Sequence, residues 1–320
     1  MPQPMDPIAA AVARLNAGGL VAFPTETVYG LGADATNPEA VRRIFRAKGR
    51  PADHPVIVHL ADASRIGEWA RSVPDAALKL AAAFWPGPMT LVLPRQPGVA
   101  DIVTGGQDTV GIRIPSHPVA RALLQAFGRG VAGPSANRFG HISPTTADHV
   151  RAEFGDSLDL ILEGGPSEVG IESTIVDLSG TEPVLLRPGM ISAGALEAVL
   201  GRKVGVPGAA SPRVSGSLAS HYAPRTPAVF MNADDIDAAW RGTEPRLGVL
   251  ARRPNPGSAE RGTWVHAPAD AANYAHDLYA NLRKLDAAGC SRLLVETVPA
   301  EAEWHAVRDR LSRATTPAEP

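Results

Sequence analysis

From Gly205 to Arg225 the chain loses every apolar period. Residues 206–220, Val-Pro-Gly-Ala-Ala-Ser-Pro-Arg-Val-Ser-Gly-Ser-Leu-Ala-Ser, offer neither the 3.6-residue spacing of a helix nor the alternation of a strand, and they are dense in turn formers. A stretch this long exceeds the ordinary loop of a compact domain and marks a functional or connecting segment. It divides the 320 residues into two pieces, each long enough to bury a core. The expected organisation is a larger domain over 1–204, a linker that doubles as a lid over 205–225, and a smaller domain over 226–320.

Before the linker, short β-branched runs alternate with helical patterns. Leu20–Phe23, Val56–Leu60, Met89–Leu93, Thr109–Ile114, Leu158–Leu162, Ser173–Leu178 and Val184–Leu186 read as strands. Ile8–Ala17, Pro38–Ala47, Asp75–Phe84, Pro118–Phe127 and Ala193–Leu200 read as helices. The clearest has Asn37 as N-cap, Pro38 at the first helical position, Val41, Ile44 and Phe45 on one face, and Gly49 past its end. This irregular order predicts an α/β fold with a twisted mixed sheet and helices on its faces. After the linker, strands at Ala228–Met231, Leu247–Ala251, Thr263–His266 and Leu293–Thr297 and helices at Ala271–Ala287 and Glu301–Arg313 predict a small Rossmann-like α/β domain.

Charge and composition exclude several classes. With 31 basic and 33 acidic residues the net charge is −2, against the uniformly basic surface of a nucleic-acid coat. A single cysteine, Cys290, cannot close an intramolecular disulfide or build a thiolate metal site. Met1–Asp6 lacks the basic start and continuous apolar run of a signal peptide, and no 18-residue apolar span occurs, so a cytoplasmic chain with no membrane association is expected.

Five constellations could carry chemistry. Gly30-Leu-Gly32-Ala-Asp-Ala35, with Asp53 further on, fits a dinucleotide fingerprint, yet Asn37-Pro38 starts the helix about six residues too late to aim its N-terminus at a pyrophosphate. Arg42, Arg43, Arg46, Lys48 and Arg50 form a cationic run; the first three fit a solvated helix face, while Gly49 and Pro51 place Lys48 and Arg50 on a turn suited to gripping an anion. In Thr109–Ile114, alternation sends Val110, Ile112 and Ile114 to one face and Thr109, Gly111 and Arg113 to the other, where a guanidinium could fork onto a carboxylate or phosphate or simply lie solvated. Ser135, Asn137 and Ser143-Pro-Thr145-Thr146 supply small polar groups at strand ends, as do Glu172-Ser173-Thr174 and Arg187. His54 and His59 sit in an extended segment without a third metal ligand, so His59 reads first as a core histidine and no metal site is expected.

Phe23-Pro-Thr-Glu-Thr-Val-Tyr-Gly-Leu-Gly32, Ala47-Lys-Gly-Arg-Pro-Ala-Asp53, Pro134-Ser-Ala-Asn137, Gly170-Ile-Glu-Ser-Thr-Ile-Val-Asp177, Leu186-Arg-Pro-Gly189 and His221-Tyr-Ala-Pro224 together resemble the threonylcarbamoyl-AMP synthase family in its two-domain form. The resemblance implies a YrdC-like catalytic domain over 1–204. It implies a nucleotidyltransferase that makes threonylcarbamoyl-AMP and pyrophosphate from L-threonine, bicarbonate or CO2, and ATP with Mg2+, for threonylcarbamoyladenosine modification of tRNA. A tRNA threonylcarbamoyl-transfer complex would act downstream, and weak tRNA binding is a further expectation. The alternative is an RNA-binding protein of the same superfamily without synthase activity.

Carried onto this sequence, the resemblance makes Lys48 and Arg50 the catalytic cations facing the triphosphate. It assigns Thr27, His59, Arg113 and Ser173 to threonine, with Arg113 on its carboxylate. It assigns Arg50, His54, Thr109, Ser135, Asn137, Thr145, Arg187 and Tyr222 to ATP, Tyr222 reaching into the pocket from the linker. Relatives often carry Asn where this chain has His54.

Overall fold

The computed structural model describes residues 6–218, 220–242, 244, 246–257 and 262–316. Contacts divide them into two compact units. The first comprises the described residues up to Phe139, Pro144–Glu168 and Glu172–Ser217; the second comprises Gly140–Ser143, Val169–Ile171 and the described residues from Leu218 onward. The division falls between Ser217 and Leu218, inside the stretch expected to be a linker, so 205–217 packs with the first unit and the described residues of 218–225 with the second.

The first unit is built on α1 (Pro7–Asn16), β1 (Val21–Phe23), β2 (Gly30–Asp34), α2 (Pro38–Lys48), β3 (Ile57–His59), α3 (Asp75–Phe84), β4 (Met89–Pro94), α4 (Asp101–Thr104), β5 (Thr109–Arg113), α5 (Pro118–Phe127), β6 (Val131–Ala132), α6 (Ala147–Phe154), β7 (Leu160–Ile161), β8 (Thr174–Asp177), β9 (Val184–Arg187) and α7 (Ala193–Leu200). Its nine strands form one mixed sheet in the order β7-β1-β2-β6-β3-β5-β4-β8-β9. The α2 helix forms as its caps require. The Asn37 side chain accepts from the Glu39 and Ala40 amides, and Gly49 closes the helix at φ 63°, a left-handed conformation that only glycine adopts without strain.

β2 was not anticipated as a strand. Gly30 and Gly32 lie under the Phe23 ring, and a Cβ at either would meet a ring carbon at 3.0 Å. The glycines therefore make room for a cross-strand aromatic side chain, and the next helix opens only at Pro38.

Alternation along β5 divides the sheet as its sequence implies. Val110 and Ile112 join Leu91 and Val58 in the main core. On the opposite face the strand register sets Thr90, Arg113 and His59 in one row and Val92, Gly111 and Ile57 in the next. Helices α1 and α5 cover part of the sheet, with Leu15, Leu123 and Phe127 in one apolar cluster with Phe23 of β1. The apolar cluster over β4, β8 and β9 contains no helix residue: Val92, Ile175 and Leu186 pack with Val214. That helix-free floor positions the site.

The second unit carries β10 (Ala228–Met231), α8 (Ala233–Arg241), β11 (Leu247–Ala251), β12 (Gly262–His266), α9 (Ala271–Asp286), β13 (Arg292–Glu296) and α10 (His305–Thr315). Its four strands are all parallel, in the order β10-β13-β11-β12. Tyr274, Leu278, Leu282 and Leu285 of α9 and Val307 and Leu311 of α10 are buried, as their spacing predicts. Among the described residues, no helix is long and apolar enough to cross a membrane.

Candidate active site

The helix-free floor of the first unit gathers most of the anticipated residues. Arg113 ends β5 only 4% exposed, so it does not lie on a solvated face. Its Nη1 donates to Thr27 Oγ1 at 2.8 Å and its Nε to the Gly87 carbonyl at 3.3 Å. Nη2 forms an ion pair of 2.7 Å with Glu26 Oε1, and Glu26 Oε2 accepts from the Ser116 amide at 3.1 Å. Glu26, 2% exposed, was not singled out from sequence; an acid standing alone among the threonines of Pro24–Val28 was the available signal.

His59 is the register partner of Arg113 on β3. It is buried with its edge against Phe23, ring centroids 5.7 Å apart, and its Nδ1 has no hydrogen-bond partner. Burial, reinforced by the Arg113 charge, lowers its pKa to about 3, so the ring is neutral at physiological pH. Close approach of the β6–Ser135 turn requires Gly133, where a Cβ would stand 2.9 Å from His59 Nδ1.

A second group lies around Arg50 and Arg187. Arg187, at the end of β9, donates from Nε and Nη2 to the Ser173 carbonyl at 3.1 and 3.0 Å and from Nη2 to Ser173 Oγ at 3.1 Å. Ser173 Oγ also meets Thr90 Oγ1 at 2.8 Å. Arg50 Nη2 donates to the Pro55 carbonyl at 2.8 Å and to Ser215 Oγ at 3.1 Å, while Arg187 Nη1 donates to the Ser215 carbonyl at 2.8 Å. One residue of the connecting segment thus takes up both arginines. Its neighbour Val214 seats on Val92, Ile175 and Leu186, in a pocket lined also by Ile57, Thr109 and Gly111.

Lys48, expected to face the triphosphate, is the last residue of α2. Only 2% exposed, its Nζ donates to the Ser135 carbonyl at 2.6 Å and to the Asn137 carbonyl, fixing the turn that presents Ser135 and Asn137. Burial, with Arg50 adding, holds its pKa well below the usual lysine range. Asn137 is buried and its Nδ2 donates to the Arg138 carbonyl at 2.7 Å. Thr145, buried before α6, contacts His149 Nδ1 through Oγ1 at 3.3 Å. His54 is half-buried against the Phe139 ring, centroids 5.4 Å apart, and burial and Arg50 lower its pKa. Tyr222 belongs to the second unit. Buried at φ 61°, its ring stands 5.7 Å from Tyr279 and 5.3 Å from the Arg310 guanidinium.

Among the described residues no group of three or more His, Cys, Asp or Glu is placed to hold a metal ion. Buried arginines and hydroxyls joined by hydrogen bonds along one face of a twisted α/β sheet are chemically suited to binding a small anion.

Comparison with known proteins identifies the family. Residues 13–189 match the Sua5/YciO/YrdC family, described as "Telomere recombination", and residues 191–316 match "Threonylcarbamoyl-AMP synthase, C-terminal domain". Threonylcarbamoyl-AMP synthase of Pyrococcus abyssi is 37% identical, over 95% of this chain and 93% of that protein. The Bacillus subtilis protein of the same name is 38% identical over 96% and 92%. The crystal structure of P. abyssi Sua5 complexed with L-threonine superposes with a TM-score of 0.87 at 36% identity, covering 96% of this chain and 94% of that one. The chain belongs to the threonylcarbamoyl-AMP synthase family, in its two-domain form, and is an enzyme of that family.

Proposed function

We propose that the first unit joins L-threonine, bicarbonate or CO2, and ATP into threonylcarbamoyl-AMP, releasing pyrophosphate. The threonine amine takes up CO2 as a carbamate, losing a proton, and a carbamate oxygen displaces pyrophosphate from the α-phosphorus. This chemistry asks for positioning and charge stabilisation rather than a protein nucleophile. The reading rests on one observation: Arg113, bonded to Thr27 and in register with His59 and Thr90, connects through Thr90 and Ser173 to Arg187, which shares Ser215 with Arg50.

In this reading Arg113 takes the threonine carboxylate, Thr27, His59 and Ser173 surround the rest of the amino acid, and Arg50 and Arg187 take the phosphates. Ser135, Asn137, Thr145, Thr109 and His54 border the nucleotide. Lys48 acts through the turn it holds. Magnesium enters with ATP as part of the substrate. Tyr222 contributes to holding ATP in the same reading.

The product then passes, in the cytoplasm, to a complex that transfers the threonylcarbamoyl group to tRNA, and weak tRNA contact by this chain belongs to the same reading. Pyrophosphate release is the test. It should require threonine, bicarbonate and ATP together, and ATP turnover without an amino acid refutes the assignment. Filter binding of tRNA in the absence of ATP separates this reading from a purely RNA-binding role.

A further inference from the structure

Ser215 occupies the two arginines that the proposed reaction needs for phosphate. Arg50 Nη2 donates to its Oγ at 3.1 Å and Arg187 Nη1 to its carbonyl at 2.8 Å. Beside it, the cavity bordered by Pro55, Thr109, Gly111, Val214 and Ser215 measures about 20 Å³, room for a single water. A nucleotide and this stretch of chain cannot share the site, so ATP must displace the segment to reach its arginines.

What holds the segment there is local. Val214 seats on Val92, Ile175 and Leu186. Upstream, 206–212 are mostly exposed and hydrogen-bond only within the turn at Gly208–Ser211, so they supply slack rather than grip. Residue 213 is the fixed point. The Gln107 side-chain amide meets its main chain twice: Oε1 accepts from the Arg213 amide at 2.7 Å, and Nε2 donates to the Arg213 carbonyl at 3.1 Å. Like a neighbouring strand, Gln107 thereby satisfies both main-chain groups of one residue. The Arg213 side chain adds a bond to the Gly105 carbonyl at 3.2 Å and an ion pair of 3.4 Å with Asp53, whose two side chains are more than half exposed and hold little.

We propose that Gln107 is a positioning residue that latches this segment in the nucleotide's place, so that ATP competes with the chain's own Ser215 for Arg50 and Arg187. The proposal rests on the assignment of those arginines to the phosphates and adds what regulates access to them. Phosphate oxygens carry charge and the Ser215 oxygens do not, so the guanidiniums favour ATP once it arrives. Gln107 opposes that exchange without bonding to either arginine. The apparent ATP affinity is the intrinsic one reduced by the fraction of chains whose segment has let go. Two partly exposed hydrogen bonds shift that fraction by about three- to tenfold.

The experiment is calorimetric titration of the full chain with ATP and, separately, with L-threonine, for the wild type and for Gln107→Met, which keeps the length of the side chain and removes both bonds. ATP should bind the variant about three- to tenfold more tightly, with threonine affinity the same in both chains. Loss of structure would weaken ATP binding, so a gain is a readout that a merely structural role cannot produce. Unchanged or weaker ATP binding in the variant overturns the proposal. Limited proteolysis of the wild-type chain is a second arm that does not depend on the variant: cleavage within 205–217 should quicken when ATP is added, and unchanged cleavage or protection overturns the proposal. A wild-type chain that binds no ATP refutes instead the assignment of Arg50 and Arg187 to phosphate.

Discussion

His59 offers a test of the site that needs no substrate. Its pKa falls from 6.5 to about 3 because burial and the Arg113 charge penalise the imidazolium. Between those two values the unfolded chain binds more protons than the folded one, so stability declines as pH drops below 6.5. The slope is about 1.4 kcal/mol per pH unit, so roughly 2 kcal/mol is lost by pH 5 through this residue alone. For a unit of this size each kcal/mol moves the melting temperature by about 2–4 °C, which makes the expected drop roughly 4–8 °C. The perturbation is His59→Gln, which abolishes the titration. Thermal unfolding of both chains at pH 7.5 and pH 5 gives a difference of differences in which other titrating groups cancel. The variant should begin less stable and lose less on acidification. If both chains fall by the same amount, His59 is not held neutral and the account of this part of the site is wrong.

Three further outcomes follow from the same geometry. Lys48→Met leaves the Ser135 and Asn137 carbonyls without their shared donor, at about 1–3 kcal/mol for each buried group; KM for ATP should rise together with a loss of thermal stability, whereas a lysine acting only on phosphate would leave stability intact. Val214→Asp places a charge against Val92, Ile175 and Leu186, so the connecting segment should leave the cleft; limited proteolysis of 205–217 should accelerate and ATP titration should show tighter binding, because Arg50 and Arg187 are released from Ser215. Weaker ATP binding in that variant would mean the segment folds over the nucleotide rather than excluding it. Tyr222→Ala removes a fully buried ring from the second unit and should destabilise it by about 3–5 kcal/mol in denaturant unfolding, so a Tyr222 variant cannot be read as a pure active-site change.

Long apolar periods with caps were legible because local chemistry decided them. Asn37, Pro38 and Gly49 delimit α2 wherever the helix packs, and β5 shows its two faces by alternation alone. The elements that escaped notice lack such signals. β2 is Gly-Leu-Gly-Ala-Asp, and what makes it a strand is the Phe23 ring on a neighbouring strand. β6 has two residues. α6 begins at Ala147 with Thr146 as its cap, its side chain accepting from the His149 amide, so one of the hydroxyls noted as a candidate ligand caps a helix. α8 has an acid-rich first turn and buries only Ile236 and Trp240, four residues apart, too few to set a period.

The site was legible as residue types and as a resemblance, but not as pairings, and the difference is a matter of distance along the chain. Thr27 and Arg113 are 86 residues apart, and nothing near either one announces the other. Lys48 and Arg50 make the point within a single turn. Both are cations flanking Gly49, and both were expected to face phosphate. The helix ends between them, so Lys48 remains on the buried side of α2 and turns inward to the Ser135 and Asn137 carbonyls, while Arg50 follows the chain out to Pro55 and Ser215. A cation's role is therefore set by which acceptors the fold brings opposite it. Glu26 shows the same rule for an acid: flanked by threonines it carries no local signal, and its significance comes from Arg113 arriving at 2.7 Å from a strand far along the chain.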